Sequence, residues 1–206
     1  MKSEHLFADE PQTVDRAAQL LLDGQLVVFP TDTVYGVGVH AFQERAIAAL
    51  FRVKERPLEK GIPILLADAA DVNRVAQRVP SSAADLMQRF WPGPLTLIVP
   101  RHSRLPENIS PGGNIAVRVP DNDIARAIIG AAGGAVATSS ANRSGEAPAR
   151  NAQEALRTLS GLVAAVVDGG PASHGTPSTI VDCTAEPPEV VRVGALAPAI
   201  LSLEEA

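Results

Sequence analysis

Six segments of this chain carry apolar residues at helical spacing, and short β-rich runs lie between them. That interleaving constrains the fold more than any other feature. Val14, Ala17, Ala18, Leu21 and Leu22 share one helical face, and Gly24 follows as a stop. Ala46, Ala49, Leu50 and Val53 make a second face, widened by Ile47 and Phe51. Val72, Val75, Ala76 and Val79 make a third. Ala83, Leu86, Met87 and Phe90 follow Ser82, with Asp85 three residues on as a capping-box variant. Ile124, Ala127, Ile128 and Ala131 follow Asp121 as the expected cap, and Ala152, Ala155, Leu156 and Leu159 follow Asn151 with Glu154 in the reciprocal position. The β-rich runs are 26–29, 62–66, 95–99, 115–119, 135–137, 163–167, 179–181 and 190–193. Several are apolar at every position, as strands covered on both faces are. Helices alternating with such strands predict an α/β domain, an open sheet flanked by helices. Strand follows strand without a helix over 95–119 and 163–193, so the sheet should be mixed.

At 206 residues, with no long linker and no internal repeat, one domain is expected. Aromatic residues are only 3%, so the core must be aliphatic and a base-stacking platform is disfavoured. The 18 basic and 23 acidic residues leave a net charge of −5, which argues against a globally basic nucleic-acid binder but not against a basic pocket. A single cysteine, Cys183, excludes an intrachain disulfide and a cysteine-caged zinc. The opening residues MKSEHLFADE hold no apolar targeting core, and the longest nearly apolar run, 127–137, is 11 residues with three glycines. The expected location is therefore the cytoplasm, with no membrane contact.

Gly36-Val-Gly38-Val-His-Ala41 has the form of a dinucleotide fingerprint. That motif needs its first glycine in the turn directly after a strand, and the polar insert 30–35 intervenes. Glycines that let a loop turn are the preferred reading. Neither a P-loop nor a G-x-S-x-G elbow is present, and His5, His40, His102 and His174 are isolated. The segment 51–60 places Arg52, Lys54, Arg56 and Lys60 within nine positions. It reads equally as a solvated helix end or as a loop that wraps a polyphosphate. Thr138-Ser-Ser140-Ala-Asn142-Arg-Ser-Gly145 puts hydroxyls, an amide and a cation at the carboxyl end of a strand, where ligands bind in open α/β sheets, though such residues also make ordinary turns. Trp91-Pro-Gly-Pro-Leu-Thr96 reads as rigid punctuation with Trp91 as a packing anchor.

Seven segments occur in an order that resembles the Sua5/YciO/YrdC family: Pro30-Thr-Asp-Thr-Val-Tyr-Gly36, Lys54-x-Arg56-Pro57, Trp91-Pro-Gly-Pro-Leu-Thr96, Ala116-Val-Arg118-Val-Pro120, Ser140-Ala-Asn142-x-Ser144-Gly145, Asp168-Gly-Gly170 and Pro177-Ser-Thr-Ile180. The resemblance implies a YrdC-like domain over 12–194, a tail over 195–206 that is a short helix or a frayed end, and no C-terminal Sua5 domain. It implies a twisted open sheet with a basic concave cavity. It also implies a nucleotidyltransferase of the short bacterial form, which makes threonylcarbamoyl-AMP and pyrophosphate from L-threonine, bicarbonate and ATP. The product would pass to tRNA-modifying threonylcarbamoyl transferase proteins for N6-threonylcarbamoyladenosine (t6A37). The implied catalytic set is Lys54, Arg56, Ser140 and Asn142. Thr33, Arg118 and Ser178 are expected at L-threonine, and Arg56, Lys60, Asn142 and Arg192 around ATP. Mg2+ is expected with ATP, held mainly by the nucleotide, with no metal site built by the protein and Asp32 as a candidate outer neighbour. Two departures stand out. Many relatives have a histidine where this chain has Leu65, and the usual Arg-Pro-Gly near the end is Arg192-Val-Gly194. The rival readings are a non-catalytic double-stranded RNA or tRNA binder on the same cavity, and another carbamoyl or adenylyl transferase.

Overall fold

The computed structural model describes residues 2–197. The chain runs β1 (Glu4–Phe7), α1 (Thr13–Leu22), β2 (Val27–Phe29), β3 (Gly36–His40), α2 (Glu44–Lys54), β4 (Ile64–Leu66), α3 (Val72–Val75), α4 (Ser81–Phe90), β5 (Leu95–Pro100), β6 (Asn114–Arg118), α5 (Asp123–Ala131), β7 (Ala135–Ser140), α6 (Ala152–Leu159), β8 (Ala165–Asp168), β9 (Thr179–Asp182) and β10 (Glu189–Arg192). Short 3-10 turns lie at Ala69–Asp71 and Glu107–Ile109.

The strands form one sheet in the order β1-β8-β2-β3-β7-β4-β6-β5-β9-β10. It is mixed, as the strand-after-strand stretches predict: β1/β8, β2/β8, β4/β6 and β5/β9 are parallel, and the other neighbours are antiparallel. Helices cover both faces. Ala17, Ala18 and Leu21 of α1 and Ala125, Ile128 and Ile129 of α5 pack on Val27, Phe29, Val136 and Val167. On the other face α2, α3, α4 and α6 bury Leu50, Val75, Leu86 and Leu159 against Val37, Ile64, Leu97 and Val117. The core is aliphatic, with Tyr35 and Phe29 as its largest fully buried side chains. Among the described residues no helix is long and apolar enough to cross a membrane.

Local structure departs from the expected pattern at several element ends. The third helix stops at Val75 because Ala76 turns extended and bridges Arg101, so Val79 lies beyond it. Helix α4 begins at Ser81 after Pro80, with no side-chain cap, so the expected box of Ser82 and Asp85 does not form. The cap of α5 is Asn122, whose Oδ1 accepts from Ala125 N at 2.9 Å; Asp121 instead donates its N–H to Asp32. The Asn151 cap of α6 does form, with Oδ1 accepting from Glu154 N at 2.9 Å. Strand β1 lies before the expected domain start at 12 and pairs with β8 from Glu4 to Phe7. Gly36–His40 is neither a dinucleotide turn nor a loop but a strand between β2 and β7. Of the tail, Ala195 N donates to Pro177 O and Leu196 packs on the core; 198–206 lie outside the described residues.

Candidate functional site

The glycines of β3 thin the middle of the sheet. A Cβ on Gly38 would lie 2.7 Å from Val136 Cγ1 and 2.9 Å from Phe29 Cε1, and one on Gly36 would lie 2.7 Å from Thr138 Cγ2. Without them β7 could not present Thr138 and Ser140 beside Gly36, which pairs with Ser140. Further along the sheet, Leu65 pairs with Arg118, Thr96 with Ile180, and Ile180 with Arg192. These positions, with the β2–β3 loop and the segment entering β9, enclose a cavity of about 170 Å³. Its wall includes Thr33, Arg56, Arg118, Ser140, Ser178 and Arg192, all expected at the site. It also includes Thr31, Thr96 and Pro177, which lie inside the seven motifs without an assigned role, and Leu65, where many relatives have a histidine.

Arg118 is nearly fully buried and heavily committed. Its Nε donates to Gly93 O at 2.8 Å, Nη1 to Thr33 Oγ1 at 2.7 Å and Nη2 to Asp32 Oδ1 at 2.5 Å. The Trp91–Leu95 turn thus positions Arg118 from behind. A Cβ on Gly93 would meet Phe90 O at 2.4 Å, so only glycine fits that turn. Burial lowers the Arg118 pKa, and the Asp32 carboxylate offsets that shift only in part. Asp32 is buried with it and keeps Oδ2 unpaired. The structure therefore makes Asp32 the counter-ion of Arg118 through Oδ1 alone.

Arg56 and Arg192 differ. Arg56 donates from Nε to Lys60 O and from Nη2 to Gly61 O. Arg192 donates from Nε and Nη2 to Ser178 O, with Nη2 3.2 Å from Ser178 Oγ. Among the described residues neither has a carboxylate partner, and each keeps Nη1 open. Burial, and then the charge of Arg192, lowers the Arg56 pKa. Two cations that repel each other on one cavity wall favour an anion there.

Lys54, Lys60 and Asn142 are not on the wall. Lys54 lies behind it, with its ammonium donating to Ser140 O at 2.5 Å, to Asn142 O at 2.6 Å and to Asn142 Oδ1 at 2.6 Å. All three of its protons are used. Asn142 Nδ2 donates to Glu146 O, and Ser140 Oγ donates to Asn142 Oδ1, each at 2.6 Å. This group fixes the chain leaving β7 against the end of α2. Lys60 is exposed, and its carbonyl holds Arg56.

Comparison with known proteins gives a consistent result. The profile of the Sua5/YciO/YrdC family, described as "Telomere recombination", matches residues 19–194. The chain is 35% identical over 196 residues to a threonylcarbamoyl-AMP synthase of Bacillus subtilis, covering 94% of this chain and 56% of that protein. It is 37% identical to one from Pyrococcus abyssi, covering 87% of this chain and 53% of that protein. It thus spans about half the length of these two relatives. A Cellvibrio japonicus threonylcarbamoyl-AMP synthase is 33% identical, with 82% of this chain and 90% of that protein covered. The crystal structure of P. abyssi Sua5 complexed with L-threonine superposes with a TM-score of 0.93 at 32% identity, over 99% of this chain and 62% of that one. Escherichia coli YciO superposes with a TM-score of 0.83 at 25% identity, over 94% and 96% of the two chains. A profile match over most of the sequence, on a sheet shared with Sua5 and YciO, means that this chain belongs to the Sua5/YciO/YrdC family.

Proposed function

We propose that this chain is a threonylcarbamoyl-AMP synthase, a nucleotidyltransferase that joins L-threonine, bicarbonate and ATP and releases pyrophosphate. One observation carries the reading: a single small cavity combines buried hydroxyls around a neutralised arginine with two arginines that lack acidic partners. A cavity of about 170 Å³ suits an amino acid. It is small beside the ~300–1,000 Å³ of pockets that enclose drug-sized ligands, so the nucleotide extends beyond it. The curated relatives bear this activity in their names, and the P. abyssi protein was crystallised with L-threonine.

The threonine amine captures CO2 with release of a proton, or bicarbonate with release of water, and becomes a carbamate. A carbamate oxygen then attacks the α-phosphorus of ATP, and pyrophosphate leaves. No covalent bond to the protein is needed. The chain's task is alignment and charge neutralisation. The open Nη1 groups of Arg56 and Arg192 are suited to the triphosphate. Lys54 serves by holding Ser140 and Asn142 in place. Mg2+ enters with the nucleotide as part of the substrate. Among the described residues no cluster of three or more His, Cys, Asp or Glu could hold a metal ion, and Asp32 meets Arg118 through Oδ1. The cytoplasm, where tRNA and the threonylcarbamoyl transferase proteins meet, is the location this reading implies.

The test is pyrophosphate release with ATP, bicarbonate and each amino acid in turn. Threonine should be best. Serine should follow about fourfold behind, because it loses one methyl worth ~0.8 kcal/mol of burial. Valine should fall ~5- to 150-fold behind, because a buried polar partner goes unpaired. Lysine and glutamate should fail on size and charge. Release that no amino acid stimulates, together with salt-sensitive RNA binding, would move the chain to the RNA-binding reading.

A further inference from the structure

Thr31 and Thr33 stand side by side on the cavity wall, both almost fully buried, with their hydroxyl oxygens 3.0 Å apart. Counting protons decides which of them donates. Thr31 Oγ1 lies 2.6 Å from Val34 O, and a carbonyl oxygen can only accept, so the single Thr31 proton is spent there. The Thr33 and Val34 amides approach the same oxygen at 3.2 and 3.3 Å, long contacts that leave it able to accept from the Thr33 hydroxyl at 3.0 Å as well. Two hydroxyl oxygens at 3.0 Å with no proton between them repel, so Thr33 must donate to Thr31. Arg118 Nη1 meanwhile donates to Thr33 Oγ1 at 2.7 Å, taking one of its two lone pairs. What Thr33 has left for the cavity is one lone pair and no proton.

We infer that Thr31 is a specificity-determining residue: by holding the Thr33 proton, it makes Thr33 an acceptor that reads a hydrogen-bond donor on the amino-acid substrate. The substrate carboxylate, which has no proton to give, is excluded from this spot. The amine must stay open to the carbon it captures. The donor that fits is therefore the substrate's side-chain hydroxyl. This rests on the synthase reading and refines it, since the resemblance places Thr33 at L-threonine without saying which substrate group it meets. Thr31 acts through Thr33 and is a positioning residue.

The experiment measures calorimetric binding of L-threonine, L-valine and 2-amino-3-fluorobutanoate to the full chain. The fluoro analogue keeps lone pairs at the hydroxyl position but has no proton there. The wild-type chain should prefer threonine over it at least tenfold and rank it no better than valine; ranking it clearly above valine overturns the inference without any mutation. In Thr31→Val the shape is kept and the proton trap removed, so Thr33 can rotate and donate, and the preference for threonine over the fluoro analogue should shrink severalfold. Thr31→Ser keeps the trap and should keep the wild-type ratio. A Thr31→Val ratio equal to wild type, or a Thr31→Ser ratio that falls as far as Thr31→Val, overturns the inference while leaving the synthase reading intact. A wild-type chain that binds no threonine overturns both.

Discussion

At Lys54 three oxygens surround one ammonium, and this changes what the residue can do. Its sequence neighbourhood suggests a cation for phosphates, but helix α2 ends there and turns it inward until it is 2% exposed. Burial, then the charge of Arg56, pushes its pKa from an ordinary 10.5 down to about 8. Below that value the ammonium serves all three acceptors. Above it the amine has two protons for three oxygens, and the Ser140–Asn142 turn loses a bond. On the proposed function, pyrophosphate release is therefore expected to fall as pH rises through about 8. Stability runs the other way. Between about 8 and 10.5 the unfolded chain holds the proton and the folded chain does not, so the native state gains stability as pH rises. Lys54→Met should lose that gain. The check pairs pH–rate profiles with melting curves across this range, and an activity profile flat through pH 9 would show that the clamp does not titrate there. Arg118 teaches the same lesson: the resemblance implies its place at the site, but nothing local announces its capture by Asp32, 86 positions away.

At the scale of the element, pattern and capping were read well where no long-range contact competed. Helix α6 is the clean case, because Asn151 and Glu154 exchange bonds within one turn. Asn151→Ala should cost about 1 kcal/mol, lowering the melting temperature by ~2–4 °C for a chain of this size. Its threonine affinity should not change, since α6 packs on the face that does not carry the cavity. A calorimetric scan and a binding titration on the same variant check both halves. Strand β3 is the opposite case. Two glycines in five residues weaken any strand propensity, and the sequence reads as a turn. They are needed because Phe29, Val136 and Thr138 fill the space that side chains there would take. That requirement lies in two neighbouring strands, one of them about a hundred residues away, so nothing local announces it.

Across the whole molecule the sheet separates support from site. Strand β1 is an edge that pairs only with β8, and Ser3 Oγ ties it to Val163 O at 2.7 Å. The cavity belongs to the part of the sheet that runs from β3 across to β10, with the β2–β3 loop and the segment entering β9. Deleting residues 1–8 should lower the melting temperature by several degrees, because it uncovers β8 and removes four rungs of pairing. Threonine affinity should be retained; a loss of affinity equal to the loss of stability would mean that the edge strand and the site are coupled. The amino-acid sequence by itself determined the layers of this protein: helices at a 3.6-residue period and strands apolar throughout can be buried in few ways, and both signals are local. The family resemblance also marked six of the cavity's side chains. Strand order, with β3 beside β7 and β6 beside β5, came only from tertiary structure, because pairing between distant strands depends on which faces fit together. The same holds for the division of labour among the cations. Lys54 and Arg118 became internal clamps and Arg56 and Arg192 kept open N–H groups because burial and partner geometry, rather than residue type, decide whether a charge is spent inside the fold or left for a ligand.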